Sequence, residues 1–563
     1  MAALPDSTPV LIVGGGPVGL ALALDLGWRN VPCVLVEQGD GEVVDAKMFA
    51  TGIRTVEFCR RWGIADEVKH WGFPADFPFD NVFVTGLDGY EVGRIPMPAL
   101  KDIAPFPDSP EQFAHCPQFV FDPILARAAG RYPSVTLRYR CRLAGFRDDG
   151  AHVEADLVDE ETGRSHRIRT DYLVGCDGVA SAVRKALGIE TRGVPFINRS
   201  VNVMFRAPAL WEQHDKGKAG RYVIIGEEGA WASLTPADGG DLWRLMIHGE
   251  QDMDPDRVDA AAEVRRAIGP DAAFDIVKVG HWIRRRMVAD SFQRGRVFIA
   301  GDAAHVMPPN GGLGMNTGIG DAVDLGWKLA AVHAGWGGPR LLASYEVERR
   351  PVGIRQCDEA MRNFERYGSR KPAPHVTDAT AEGDKVRAAL GRRLSSSNAL
   401  AWDNPMHTHL GYRYDNSPIV IADGPPPPEP EDTRIYTPSS HPGGRAPHAW
   451  LKDGRSTLDL FGRGFTLLRF GRERPGDAGI VAAAVARAVP LDLVEIDEPE
   501  VARLYARRLV LVRPDGHVAW RGDAAPSEPA ALIDRVRGAG VAGGQSSSAT
   551  AAGEPVGAAA KSA

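Results

Sequence analysis

Cysteine is scarce in this chain: six residues in 563, at Cys33, Cys59, Cys116, Cys141, Cys176 and Cys357, with no C-x-x-C pair among them. That spacing excludes a disulfide framework and a thiolate metal site, and it fits a reducing compartment. Long apolar runs are missing as well. Nothing approaches the roughly 20 residues of a membrane span, and the opening MAALPDSTPVLIVGGG lacks the basic flank and long apolar core of a signal peptide. The expectation is a soluble, cytoplasmic protein with no membrane partner. Nor is there a positive excess: 66 Lys and Arg against 73 Asp and Glu leave a formal charge of -7. A nucleic-acid partner would normally call for a basic face. The longest basic run, RRR at 284–286, reads as a solvated face. No internal repeat is present.

What remains is ordinary globular material, 44% hydrophobic and 25% charged, long enough for two to four packed units. The first stretch reads strand, glycine turn, helix, strand: VLIV, then PVGLALALDLGWRN with helical spacing, then CVLVE ending on Glu37. The middle is different. VNVMFRA, GRYVIIG, WASLTP and LWRLMIHG are short β-type runs, which predict a mainly antiparallel sheet inserted between two parts of an α/β domain. The proline run GPPPPEPEDT predicts an extended, semi-rigid linker. After it, FTLLRF, AGIVAAAVARAV and RLVLVRPDGHVAW form a second α/β pattern, and the end, GGQSSSATAAGEPVGAAAKSA, is too small and polar to bury a core. The stretch at 369–384 reads as a surface loop between helices. The division expected is a cofactor domain over 1–196, with β elements of the inserted sheet near 75–120, the inserted sheet at 197–290, and the cofactor domain resuming over 291–423. A linker at 424–433, a C-terminal domain at 434–541 and a disordered tail at 542–563 follow.

Three glycine-bearing clusters carry chemistry. In the first, Gly14, Gly16 and Gly19 form G-x-G-x-x-G directly after a strand, with Pro17 opening the helix. Gly14 permits the sharp turn, Gly16 lets backbone approach a pyrophosphate, and Gly19 lets the helix pack on the sheet. The helix N-terminus favours the anion. Glu37 stands at the distance expected of a carboxylate that accepts from a ribose hydroxyl, which suits FAD or NAD better than a 2′-phosphorylated cofactor. The second, DYLVGCDGVASAVRKALGI, reads alone as a strand, an Asp-Gly turn and a helix capped by Ser181 or Asp177. The third, GRVFIAGDAAHVMPPNGGLGMNTGIGDAVDLGWKL, reads as a strand ending on Asp302, a glycine-rich loop and a helix beginning near Gly320. Its free N–H groups supply a second site for an electron-rich group. A cofactor with one such demand at each end fits the pair.

In this order and separation the three clusters resemble the single-component, class A FAD-dependent aromatic hydroxylases, in the branch of phenol 2-monooxygenase, 2,4-dichlorophenol 6-monooxygenase and 3-(3-hydroxyphenyl)propionate hydroxylase. The likeness rests on GGGPVG with Glu37, on the CDG segment with Asp177, Gly178, Ser181 and Arg184, and on GDAAH-x-x-P-x-x-G-x-G-x-N from Gly301 to Asn316. It implies a Rossmann-like FAD domain, an interleaved β-sheet substrate domain and a thioredoxin-like C-terminal domain without CxxC. By the resemblance, Glu37 binds the adenosine ribose, Arg54 and Gln118 reach the phosphate and ribityl region, and Asp302 holds the ribityl chain or pyrophosphate. Gly312, Gly314, Met315 and Asn316 bring backbone N–H groups to the flavin's pyrimidine edge, where reduced flavin carries negative charge. Asp177 belongs to the segment associated with FAD and with NADH or NADPH as transient co-substrate. Lys47 replaces the arginine of many relatives and loses its fork geometry. Asp324, where many relatives have Asn, is assigned no role. The C-terminal domain is expected to serve structural or dimer-related packing in a homodimer, and its removal after Pro425 to spare flavin binding.

The resemblance further implies that the chain uses NAD(P)H and O2 to hydroxylate a small phenolic substrate through a flavin C4a-hydroperoxide, the protein orienting substrate and excluding water. A base near the substrate hydroxyl is expected. His305 is the nearest titratable group to the flavin loop, though a His in that position reads more readily as a brace than as a proton acceptor. Met307 and Pro308 fall between flavin and substrate, and Tyr222, Trp231, Trp243 and His248 are candidate substrate-wall residues. Baeyer–Villiger insertion, epoxidation, tailoring of a polycyclic metabolite and non-catalytic FAD binding remain open. So does flavin reduction or halogenation, although the W-x-W-x-I-P signature of halogenases is absent.

Overall fold

The computed structural model describes residues 4–44, 48–249, 253–367, 371–396, 406–471 and 476–540. Lys47 and the tail expected at 542–563 lie outside the described residues.

The apolar runs of the first unit become the parallel layer of an eight-stranded sheet, to which three further strands pair antiparallel. Its order is Val297–Ile299, Ser165–Gly175, Ser7–Val13, Cys33–Val36, Val135–Arg138. Cys33–Val36 is buried at all four positions, as expected of a strand covered on both sides. The helix Pro17–Trp28 covers one face, entered through Gly16 with proline in its first turn, where the missing N–H breaks no hydrogen bond. This helix packs on a second, long helix, Leu313–His333. Both therefore begin at the same edge of the sheet, beyond the carboxyl ends of its strands.

The inserted sheet has eight strands. In order they are His305–Val306, Asp275–Ala289, Thr191–Arg206, Leu242–His248, Gly229–Pro236, Arg221–Gly226, Asn81–Val84 and Glu91–Ile95, antiparallel throughout except for Arg221–Gly226 with Asn81–Val84. Two of them come from the 75–120 region. The edge strand His305–Val306 belongs to the third glycine cluster, pairing with Val288 and Met287. Hydrogen bonding thus joins the inserted sheet to the flavin-type loop.

The C-terminal domain is a βαβ unit, Phe465–Phe470, Asp477–Val485 and Leu491–Ile496, followed by the hairpin Leu509–Val512 and Val518–Gly522 and a closing helix, Pro529–Val536. This is the thioredoxin-like arrangement, without cysteine. It is not an appendage. Phe465 lies edge-on to Trp327 of the long helix at 6.1 Å, and Trp336 stacks on that indole at 6.3 Å. Arg513, fully buried, reaches Glu348 (2.7 Å) and Asp324 (3.0 Å) of the first unit. Arg445 grips Glu57. Removal of the chain after Pro425, expected to spare flavin binding, would strip Asp324, Glu348, Glu57 and Trp327 of these partners. The proline run takes no helix or strand, but it does not hang free either. Glu429 accepts from His407 at 2.7 Å and pairs with Arg413 at 2.9 Å and Arg355 at 3.1 Å. At the expected loop of 369–384, the helix Ala381–Ser396 already begins.

Candidate active site

At the first turn, Gly14 has φ +112°, and a Cβ there would stand 2.4 Å from the Cys176 carbonyl oxygen. Gly19 is tighter still, 2.0 Å from the Gly14 oxygen, whereas the space beside Gly16 is open to 4 Å. Two glycines are thus required by close packing, and the third leaves its outer side clear for a ligand. Glu37 accepts from the N–H groups of Gly15 and Gly39, both at 2.7 Å, which fixes the carboxylate at the turn with lone pairs to spare.

In the second cluster Asp177 is turned inward. It accepts from the Ser181 hydroxyl at 2.5 Å and the Val183 N–H at 3.1 Å, while Ser181 caps the helix through the Arg184 N–H. Asp177 therefore caps its own turn, half-buried beside the Gly14 turn where the cofactor expectation placed it. Arg184 is the functional link: it donates to the Ala303 carbonyl at 2.9 Å and the Val179 carbonyl at 3.0 Å, tying this turn to the third cluster.

The third cluster is a loop held from beneath. Asp321, on the long helix, accepts from the Gly301 N–H (3.1 Å), from His305 Nε2 (2.8 Å) and from Arg349 Nε (2.7 Å). Arg349 continues to the Thr317 carbonyl and the Tyr414 hydroxyl. Burial alone would raise the Asp321 carboxyl, but His305 and Arg349 together hold it below the ordinary range. His305, 1% exposed, is consequently a brace, and the catalytic expectation for it is corrected. Met307 and Pro308 are buried in the loop, Met307 lying 3.8 Å from the Cβ position of Gly314. Neither carries a group able to move a proton. Asp302 stays exposed on a short 3-10 turn and, with Arg184, Arg285, His305 and Met287, lines a cavity of about 280 Å³.

The long helix starts at Leu313, not near Gly320, with Gly312 at φ +65° before it and no side-chain cap. Its first-turn N–H groups, those of Gly314 and Met315 among them, have no partner within the helix. The Asn316 side chain is occupied: Oδ1 accepts from the Gly52 N–H (2.8 Å) and the Thr55 hydroxyl (2.7 Å), and Nδ2 donates to the Gly312 carbonyl (2.6 Å). It locks the loop to the helix Ile53–Arg61. Arg54, on that helix, has its guanidinium bound to Glu57 at 2.7 Å and to the Asp515 carbonyl at 2.9 Å, while its buried Nε has no partner among the described residues. Gln118 opens the helix Gln118–Ala129 and donates to Asp122.

The inserted sheet has two unlike faces. Val201, Val203, Phe205, Leu245 and Ile247 form the core beneath the helix Ala260–Ile268, and Tyr222, Trp231 and Trp243 belong to it. Those three are corrected from substrate wall to core. The opposite face carries Ser200, Asn202, Met204, Arg244, Met246 and His248, and of the four candidates only His248 is on it. This face turns toward the FAD-type domain, where Phe49 stacks on Arg244 at 4.1 Å and Phe364 lies 5.9 Å from Arg284. Asn202 is buried there, and its carbonyl oxygen has no partner among the described residues. The pattern was available in LWRLMIH, whose strict alternation puts Arg244, Met246 and His248 opposite Trp243.

Comparison with known proteins decides what this cradle serves. Residues 7–360 match the FAD binding domain family, and residues 439–539 match the aromatic-ring hydroxylase C-terminal family. The chain belongs to the FAD-dependent aromatic hydroxylases. It binds FAD and is a monooxygenase of aromatic or polyketide compounds. Among similar hydroxylases are the 4-methyl-5-nitrocatechol 5-monooxygenase of a Burkholderia species, 34% identical over 95% of this chain and 98% of that protein, and the tetracenomycin B2 monooxygenase-dioxygenase of Streptomyces olivaceus, 33% identical over 94% and 97%. Among solved structures, that of the rebeccamycin biosynthetic enzyme RebC with bound 7-carboxy-K252c is 43% identical, with a TM-score of 0.88 over 95% of this chain and 100% of that one. The ternary complex of aklavinone-11 hydroxylase with FAD and aklavinone is 30% identical, at 0.79 over 95% and 99%. The family's cofactor fits the residues present. A glycine turn open at Gly16, a fixed Glu37, an exposed Asp302 and an uncapped helix start beyond Gly312 lie along one edge of the parallel sheet. Among the described residues no helix is long and apolar enough to cross a membrane.

Proposed function

We propose that this hydroxylase acts on a phenolic ring within a planar polycyclic aromatic compound, with NAD(P)H as reductant. The carrying observation is the sheet face opposite the Trp243 core, a row of mixed polar and apolar groups that packs toward Phe49 and Phe364 of the FAD-type domain. A flat multi-ring substrate can lie along Met204, Met246 and the Phe49 ring while the Asn202 oxygen accepts from a ring hydroxyl. Leaving that buried oxygen unpaired costs about 1–3 kcal/mol, so a donor on the substrate recovers what an apolar ring would not. The relatives whose solved structures hold 7-carboxy-K252c and aklavinone support a substrate larger than one ring.

Bound FAD supplies the activation of O2 from which one oxygen atom enters the ring. The chain's part is geometric and electrostatic. The glycine turn and Glu37 would anchor the adenosine half, and Asp302 would take the ribityl side. The uncapped N–H groups after Gly312 would stabilise negative charge at the flavin's pyrimidine edge. The cavity beside Asp302, Arg184 and Arg285 supports an approach for the nicotinamide ring separate from the substrate face.

A panel running from phenol and catechol to three- and four-ring phenols tests this, scored as hydroxylated product per NAD(P)H consumed. Coupling should exceed one half only for the polycyclic members, with single-ring phenols stimulating oxidation without equivalent product. Full coupling with a single-ring phenol would overturn the substrate class, and a product with an inserted ring oxygen would overturn the reaction.

A further inference from the structure

A second cavity, of about 300 Å³, lies away from the flavin cradle, between the helix Ile53–Arg61 and the C-terminal domain. Its cations outnumber their partners. Arg60 is satisfied by Asp459 at 2.7 Å and Glu111 at 3.0 Å, but Arg54 must share Glu57 with Arg445. Arg61 has no carboxylate partner among the described residues. Its one hydrogen bond runs to the Pro514 carbonyl at 3.0 Å. Burial, with repulsion from Arg29 and Arg54, pulls this guanidinium down to about 10, the mark of a cation short of negative charge.

The walls are aromatic. Trp28, Phe58 and Phe461 line the cavity, and Arg61 lies 6.0 Å from the Trp28 ring and 5.6 Å from Phe58. Arg463, which also has no carboxylate partner among the described residues, lies over the same indole at 5.5 Å. Gly516 keeps the floor clear: a Cβ there would stand 3.4 Å from the outer nitrogens of both Arg54 and Arg61. A planar fork beside flat apolar walls matches a carboxylate on an aromatic ring, the fork taking both oxygens and the ring lying on Trp28.

We infer that this interdomain cavity is a binding site for a small aromatic carboxylate, held by Arg61 and stacked on Trp28. Such a ligand would bridge the helix whose other end secures Asn316 to the domain that supplies Phe461 and Gly516. The site is independent of the substrate reading above.

The test is equilibrium dialysis of the FAD-loaded full chain with 2-naphthoate, its neutral amide and inorganic phosphate. Naphthoate should saturate a site that Arg61→Gln weakens at least tenfold, and both the amide and phosphate should bind at least tenfold more weakly. Arg61→Gln should unfold no earlier than the parent without ligand, since it removes an unpaired cation. Trp28→Phe should weaken naphthoate but leave phosphate unchanged, which keeps the test intact if the arginine variant misfolds. Naphthoate affinity unchanged in Arg61→Gln would overturn the site. Equal binding of the amide would overturn the anionic requirement, and equal binding of phosphate the aromatic one.

Discussion

Asp324 shows how much a single residue can conceal. It sits in a buried group of three carboxylates, Asp324, Glu348 and Asp515, facing two cations, Lys328 and Arg513. One acid too many is present, and its cost falls on Asp324. Burial drives Asp324 well above the ordinary carboxyl range. Arg513 and Lys328 overcome the same burial at Glu348 and hold it at about 2. Asp324→Asn should therefore change stability by under about 1 kcal/mol, since it swaps one neutral hydrogen-bonding group for another. Arg513→Gln should cost about 3–5 kcal/mol by leaving buried charge unpaired. Urea unfolding of the two variants checks both, and a large loss in Asp324→Asn would show that the acid is ionised. The sequence marked Asp324 as a departure and could say no more, because its decisive partner is 189 positions away. Arg54 illustrates the converse. Its partner Glu57 stands three residues on, within reach on one helix face, so the ion pair was readable where a flavin contact was expected.

At the scale of elements, what could be read was what is local. The glycine turn and Glu37 follow from spacing within a few dozen residues and are joined in the structure, whereas the loop before Leu313 ends earlier than its glycines implied. The faces of the inserted sheet did not follow, although period-two alternation fixes them. Four side chains stood as candidates for the substrate wall without a choice among them, and the three bulky rings are the ones that stabilise most when fully buried. The two faces can be separated experimentally. Trp243→Ala should destabilise by about 3–5 kcal/mol, with substrate KM little changed in whatever fraction folds. Met246→Ala, on the partly open face, should cost well under half of that yet raise KM several-fold. Thermal unfolding and steady-state kinetics on the same preparations distinguish them, and a reversed pattern would place the substrate on the other side of the sheet.

The whole molecule is knit by groups that tolerate little acid. His409 and His517, both buried, are pressed down to about 4, chiefly by desolvation. A histidine with a depressed folded pKa stays neutral in the fold while the unfolded chain takes up a proton below about 6.5. Stability must then fall as pH drops from about 6.5 toward 4, by up to about 1.4 kcal/mol per pH unit for each such group. Glu57 adds a second, lower window. Burial would raise it, but Arg445 and Arg54 hold it at about 2, so its contribution is present above about 4.3 and disappears toward 2. Denaturation midpoints measured from pH 7 to 4 should slope downward, and His517→Gln should flatten the slope. A flat parent profile would show that these histidines are hydrated in solution.

The depth at which Arg513 is buried also bears on synthesis. Its guanidinium is the counterion for Glu348 and a hydrogen-bond donor to Asp324, and both acids leave the ribosome well over a hundred residues before it. Domains commonly settle in order of emergence, but here the helix that begins at the flavin loop waits for Arg513 to reach Asp324 and for Phe465 to cover Trp327. It can bury its inner face only after the C-terminal hairpin has arrived. A ribosome stalled before codon 513 would release a chain with the glycine turn and Glu37 in place and the flavin's other end unsupported. Readiness to hold cofactor thereby becomes a report that translation has passed the hairpin.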